Sequence, residues 1–142
     1  MTAFLPDYKI NLRMNNKFKD AQEWMKQAEY DLKSAEILLK GKRYLHVVFL
    51  CHLAVEKALK GIYAHRFRKD PPRIHNLNYF VDILKLEPSE DLIKFLNQLS
   101  DLSVPTGYPE EIADLEREYN QAIGKAALKR GKEFVAWIKK MI

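Results

Sequence analysis

The sequence has one cysteine, five glycines and six prolines in 142 residues, and each scarcity removes a class of protein. Cys51 has no partner within the chain for a disulfide, and with His46 and His52 as its nearest ligand-type neighbours it matches no zinc spacing. A reducing compartment, the cytoplasm, is the simplest expectation. The glycines stand apart as Gly41, Gly61, Gly107, Gly124 and Gly131, so no phosphate-cradling loop and no dinucleotide fingerprint exists. No apolar run approaches the roughly 18 residues of a membrane span, and Met1 to Pro6 shows no basic start leading into an apolar stretch. Neither a membrane partner nor a secretory leader is expected. The four histidines, His46, His52, His65 and His75, include no i, i+4 pair with a glutamate between, which argues against a metallohydrolase. No metal and no cofactor is expected. Period-two alternation of apolar residues is missing as well, so there is no sheet to predict.

What is present is 47% hydrophobic and 30% charged residue, the composition of one globular domain. At this length a chain buries about 68% of the surface it would expose unfolded, enough to hold a core without staples. The net charge of +5 is unevenly placed. Residues 40–75 carry nine basic groups against Glu56 and Asp70, residues 82–118 carry ten acidic against three basic, and residues 124–140 carry six basic against Glu133. Such segregation suits an anionic partner on one face; the plainer reading is that basic and acidic helices pair inside a bundle.

Helical periodicity decides the fold class. Between Asp20 and Lys40, Ala21, Trp24, Ala28, Leu32, Ala35 and Leu39 recur at spacings of three and four, with Asp20 as N-cap and Glu23 three residues on. A second helix from Tyr44 to Arg68 has the inner stripe Tyr44, Val47, Val48, Cys51, Val55, Ala58 and Ile62. Leu45, Phe49 and Leu53 lie on its other sides, so this helix should be covered all round. Pro71 and Pro72 end it. A short helix then holds Leu77, Phe80, Val81 and Leu84, and Ser89 caps a third long helix that runs to Pro105. After a loop from Val104 to Glu111, a last helix from Ala113 to Met141 is predicted, with Leu115, Tyr119, Ile123, Ala126, Phe134, Trp137 and Met141 as its stripe. The expectation is an all-α, up-and-down antiparallel bundle of four long helices plus one short helix over residues 18–142, behind an N-terminal segment 1–17 whose stretch Asn11 to Asn16 is the most disorder-prone piece.

Four sets of residues then ask for a role. Cys51 reads as a small core hydrophobe, because His52 next to it on a helix points about 100° away. Arg130 falls in the middle of the last stripe; a buried arginine needs a carboxylate, and Glu56 or Asp31 are the candidates. Phe49 and Leu53, outside the inner stripe, form a candidate homodimer interface. Lys57, Lys60, Arg66, Arg68, Lys69 and Arg73, interleaved with Tyr63 and Phe67, form a candidate surface for phosphate and base, the alternative being a solvated basic face.

The segment Glu29 to Leu84 resembles the HEPN family of small prokaryotic helical domains. The matching pieces are Ala28, Asp31, Leu32, Ala35, Leu38 and Leu39 on the first helix, then Tyr44, then the run Ala54, Glu56, Lys57, Ala58, Leu59, Lys60, then Pro72, then His75 with Leu77. Tyr108 and Pro109 stand where the family usually has an Arg-Tyr-Pro triplet. The resemblance, over about residues 20–140, implies a homodimeric bundle that acts on nucleotides or RNA, often beside a small nucleotidyltransferase partner. It adds His75 and Tyr108 to the candidate binding residues. Some members resemble toxin ribonucleases of toxin-antitoxin pairs, whose signature is an arginine followed after four to six residues by a histidine near the later helices. Here no histidine follows His75 and Gly107 takes the place of the triplet's arginine. Arg68 and His75 have the spacing, but two prolines separate them. The expected function is therefore noncatalytic binding of a nucleotide, RNA or a nucleotidyltransferase; the alternative is a metal-independent toxin-type ribonuclease using Arg68 and His75. In the plainer view His75 is a cap or loop-packing histidine bonded to a backbone carbonyl.

Overall fold

The computed structural model describes residues 17–106 and 109–142, and among these every regular element is helical. Helix α1 spans Ala21–Lys40 and α2 spans Tyr44–Phe67, joined by a connection too short for anything but antiparallel neighbours. Asp20 caps α1 by accepting the Glu23 amide at 2.9 Å. Helix α2 ends where Arg68 takes a left-handed conformation, φ 55°, and the double proline follows. Asn76 caps the short α3, Leu77–Ile83, and Ser89 caps α4, Glu90–Ser103, which runs into a 3-10 turn at Val104–Thr106. Most of the N-terminal segment, together with Gly107 and Tyr108, lies outside the described residues.

The predicted last helix is two helices, α5 at Ile112–Glu118 and α6 at Gln121–Lys139. The break has a clear cause. Asn120 turns its side chain back to accept the Ile123 amide at 3.0 Å, an N-cap that competes with continuing the helix. Tyr119, 3% exposed, leaves helical geometry and donates its hydroxyl to the Leu102 carbonyl, so the corner is pinned to the end of α4. Restarting the helix rotates its faces. The buried positions of α6 are Gly124, Ala127, Leu128, Gly131, Phe134, Val135 and Ile138, with Ala126 exposed and Trp137 half-buried. Arg130 consequently is no core arginine. It lies half-exposed beside the buried stripe and pairs with Glu133 at 3.0 Å, meeting neither Glu56 nor Asp31.

Helix α2 is the central element and touches every other helix. From Ala54 to Ala64 all but Lys57 is buried, and α1 and α6 cover its inner side. Gly124 allows the closest approach on that side: a Cβ there would stand 3.0 Å from the Tyr44 ring and 3.2 Å from Leu39. The opposite side of α2 carries Phe49, Leu53, Glu56 and Lys60 at spacings of four, three and four. The burial increases along this row, from exposed Phe49 through half-buried Leu53 to buried Glu56 and Lys60. The helix is covered on nearly every side from Ala54 to Ala64 and open at Phe49 and at its last turn. Ion pairs tie α6 to α1 through Lys139 with Glu29 at 2.6 Å and Lys132 with Glu36. Among the described residues none ties the acidic stretch 82–118 to either basic stretch, so bundle-internal pairing does not absorb the charge segregation.

Candidate functional site

The row on α2 leads into a compact polar cluster. Glu56, 4% exposed, receives the Lys60 ammonium at 3.1 Å on one carboxylate oxygen and lies 3.0 and 3.2 Å from Nδ1 of His75. Lys60 is itself buried, and its Nζ also sits 5.8 Å from the Trp24 ring and 6.0 Å from the Phe80 ring, at the outer limit of cation–π contact. One turn toward α1, Lys57 meets buried Asp31 at 2.8 Å, a charge contact rather than an aligned hydrogen bond. Lys57 and Lys60, two of the six basic residues expected on the phosphate-binding surface, are thus held by buried carboxylates. The reason is their position under α1 and α3, where an unpaired ammonium would be poorly hydrated. His75 bonds a carboxylate and not the backbone carbonyl expected for a packing histidine. Its side chain is 80% exposed, so the imidazole leans on Glu56 with one edge and shows the other to solvent.

The remaining four basic residues form an exposed rim at the end of α2 and along the connection to α3. Arg66 reaches the Leu84 carbonyl, while Arg68, Lys69 and Arg73 are exposed. Asp70, the one acid in that connection, accepts the Lys19 amide at 3.2 Å. The prolines stiffen this segment: Pro71 is buried, Ile74 is half-buried with its amide on the Pro72 carbonyl at 2.8 Å, and Asn76 starts α3. Of the two interleaved aromatics, Tyr63 is buried and Phe67 is 47% exposed, the rings 4.6 Å apart. Tyr63 continues onto Phe80 and Phe80 onto Tyr79, whose ring is again partly exposed.

Two further residues belong to the cluster that sequence reading left out. His52, one turn before Glu56, is half-buried, and its pKa is lowered by burial, opposed by the Glu56 charge and reinforced by His75. Its spacing of four from Glu56 was a usable signal. Trp24 places its ring near both Lys60 and Lys19, 4.0 Å from the latter, and its buried Nε1 has no hydrogen-bond partner among the described residues. That contact crosses helices and leaves no mark in the sequence. Cys51 is fully buried, and burial pushes its thiol up to about 12, in keeping with a core hydrophobe. A separate groove of about 620 Å³ between α4 and α6, lined by Phe95, Leu99, Leu102, Ile123 and Ala127, includes of the predicted site residues Arg130 alone. No group of three metal-ligating side chains gathers among the described residues, and no helix of theirs is long and apolar enough to cross a membrane.

The run Ala54 to Lys60 with His75 against it is the part of the structure on which a family resemblance rested, and comparison with known proteins decides it. The HEPN domain family matches residues 21–141, nearly all of the helical domain. The chain belongs to the HEPN family. Two solved structures share the HEPN fold seen here. A protein of Thermus thermophilus, TT1696, is 25% identical, covers 86% of this chain and 98% of its own, and superposes with a TM-score of 0.70. An archaeal HEPN homologue, ST0689, is 23% identical over 87% of this chain and 98% of its own, with a TM-score of 0.72. Among curated proteins none matches the sequence.

Proposed function

We propose that this HEPN chain is a noncatalytic homodimeric domain that binds the phosphates of a nucleotide or of single-stranded RNA on the connection between α2 and α3. The observation that carries the reading is the rim itself: Arg66, Arg68, Lys69 and Arg73 stand in a stiff segment whose single acid is already engaged, with exposed Phe67 among them. Cations position a phosphate backbone, and an exposed ring gives a base something to stack on. Arg68 takes the left-handed backbone in which glycine is the usual residue, as do Lys42 and Lys85 past α1 and α3. A small nucleotidyltransferase, the partner that the family resemblance implied, would bring a nucleotide to the same rim. Phe49 and Leu53 offer the second copy an apolar contact.

The test is a salt titration of binding to single-stranded RNA. Each phosphate neutralised on a single strand contributes about −0.7 to the slope of log affinity against log salt, so four contacts give roughly −3. Changing Lys69 and Arg73 to Glu should flatten the slope. Arg68→Gly should weaken binding while relieving roughly 1 kcal/mol of backbone strain, so affinity and stability move in opposite directions. Failure to bind at low ionic strength would refute the reading. Lys57 and Lys60 are unsuitable probes because both are structural.

One observation favours a second reading, a toxin-type ribonuclease: Glu56 fixes the His75 ring, as an acid–base catalyst requires. His52 and His65 stand on α2 near the cluster and the rim, but the only arginine and histidine at the signature spacing, Arg68 and His75, are split by two prolines, so no cleavage is expected. Cleavage that survives purification and disappears in both Arg68→Ala and His75→Ala would promote it.

A further inference from the structure

The rim explains attraction to phosphate but gives no means of telling one sugar from another, and the Glu56–His75 pair supplies one. We infer that His75 reads a ribose hydroxyl, with Glu56 as the positioning residue that sets which ring nitrogen faces the ligand. This rests on the nucleotide-binding reading above and deepens it to ribonucleotide selectivity.

The argument is one of donors and acceptors. A carboxylate only accepts hydrogen bonds, so a neutral imidazole that lies against it must put its proton on the nitrogen that faces it. At His75 that nitrogen is Nδ1, with both Glu56 oxygens within 3.2 Å. Nε2 is left as a bare acceptor on the exposed edge of a side chain that is 80% open to solvent. The Lys60 ammonium at 3.1 Å balances the Glu56 charge, so the carboxylate holds the ring without needing an imidazolium to neutralise it. An acceptor repels phosphate oxygens, which have no proton to give, and welcomes a hydroxyl. Beside four cations that track a phosphate backbone, the hydroxyl within reach is that of the sugar, and the ribose 2′-OH is what separates RNA from DNA. Among the described residues nothing already occupies that edge: neither Arg68 nor Arg73 donates to His75, whose hydrogen bonds there run to Glu56 alone, and Asn76 spends its side-chain oxygen on the Tyr79 amide at 3.2 Å.

The experiment compares oligoadenylate with oligodeoxyadenylate of the same length by fluorescence anisotropy, on the full chain at about pH 8. Wild type should favour the RNA by about three- to tenfold, the worth of one hydrogen bond to a group otherwise left in water. His75→Ala, at an exposed position, should drop RNA affinity to that for DNA and leave DNA affinity unchanged. Glu56→Met with Lys60→Met, which removes the holder and its counter-charge together, should do the same. The ¹⁵N shifts of the free wild-type ring should show the Nδ1–H tautomer whatever the variants do. Equal loss for RNA and DNA in His75→Ala would mean a phosphate contact and overturn the inference, as would an Nε2–H tautomer or equal wild-type affinity for the two strands. Absence of binding to either strand would overturn the binding reading itself.

Discussion

Replacing Glu56 by methionine leaves the Lys60 ammonium in a site where its side chain is 9% exposed and its one carboxylate partner among the described residues is gone. Removing one partner of a buried ion pair costs about 3–5 kcal/mol, because the survivor keeps its desolvation without its attraction. Two features of the site favour the low end. The Trp24 and Phe80 rings, at 5.8 and 6.0 Å, retain some attraction for a cation, and the flexible stem of lysine lets the head group move toward water. The expected loss is therefore about 3 kcal/mol, which in a domain of this size lowers the melting temperature by of order 10 °C. Lys60→Met should cost less, about 1–3 kcal/mol, because Glu56 keeps His75 as a hydrogen-bond partner. With both residues changed to methionine no charge is left stranded, the volumes are similar, and stability should return to within about 1 kcal/mol of wild type. Urea denaturation of the four proteins closes the cycle. A Glu56→Met variant within about 0.5 kcal/mol of wild type, or a double variant that sums the two single losses, would refute the argument that this pair is desolvated and coupled.

Three other outcomes are expected. Burial lowers the His52 pKa in the fold below its ordinary value near 6.5, so the unfolded chain binds more protons just below that pH and stability falls on acidification, by at most about 1.4 kcal/mol per pH unit from this group; His52→Gln should remove that share, and parallel stability-against-pH curves for the two proteins would sink the idea. Changing Phe49 and Leu53 to Lys should convert a dimer to a folded monomer in sedimentation, since each buried Phe or Leu is worth roughly 1.5–3 kcal/mol; a monomeric wild type, or an unfolded variant, argues against the interface. Gly131→Ala should stabilise α6 by up to about 1 kcal/mol, because the new Cβ meets only ordinary contacts at 3.6 and 3.7 Å. Gly124→Ala should lose that gain against Tyr44 at 3.0 Å, and thermal melts that rank the two variants the other way would contradict the packing.

Where sequence and structure agree, the signal was local. Asp20, Ser89 and the double proline mark helix ends by bonds or restrictions within a few residues, and these ends fall where the pattern placed them. The split at Tyr119 was also local in part, since Asn120 has a good N-cap side chain; it was overlooked because Leu115, Tyr119 and Ile123 continue a plausible stripe across it. Misreading that break rotated α6 and put Arg130 in the core, and from that followed a false partner for Glu56. The site itself was half legible. Glu56, Lys57, Lys60 and His75 could be picked out as a group, but which of them face water depends on α3 folding over α2, a contact between distant stretches of chain. Counting lysines on one helical face could not tell two buried ion pairs from a phosphate surface. Arg66 to Arg73 escape this error because they lie in the last turn of α2 and past it, where little covers them.

Stability alone does not account for the burial of Glu56 and Lys60, since two apolar side chains of similar volume would fill the same space at no greater cost. What apolar side chains would lose is the hold on His75. The ring sits on a segment of its own, fifteen residues further along the chain than Lys60, and Glu56 is the group that draws it against α2. A carboxylate placed there without Lys60 would carry an uncompensated charge; a Lys60 placed there without Glu56 would do the same. On the proposed reading the three residues act together to present one imidazole edge at a basic rim, which neither pair taken separately would do. This is why the methionine double variant is the informative one: it should keep the fold and free the ring, and a loss of RNA preference at unchanged stability is the result that a cluster serving a ligand would give.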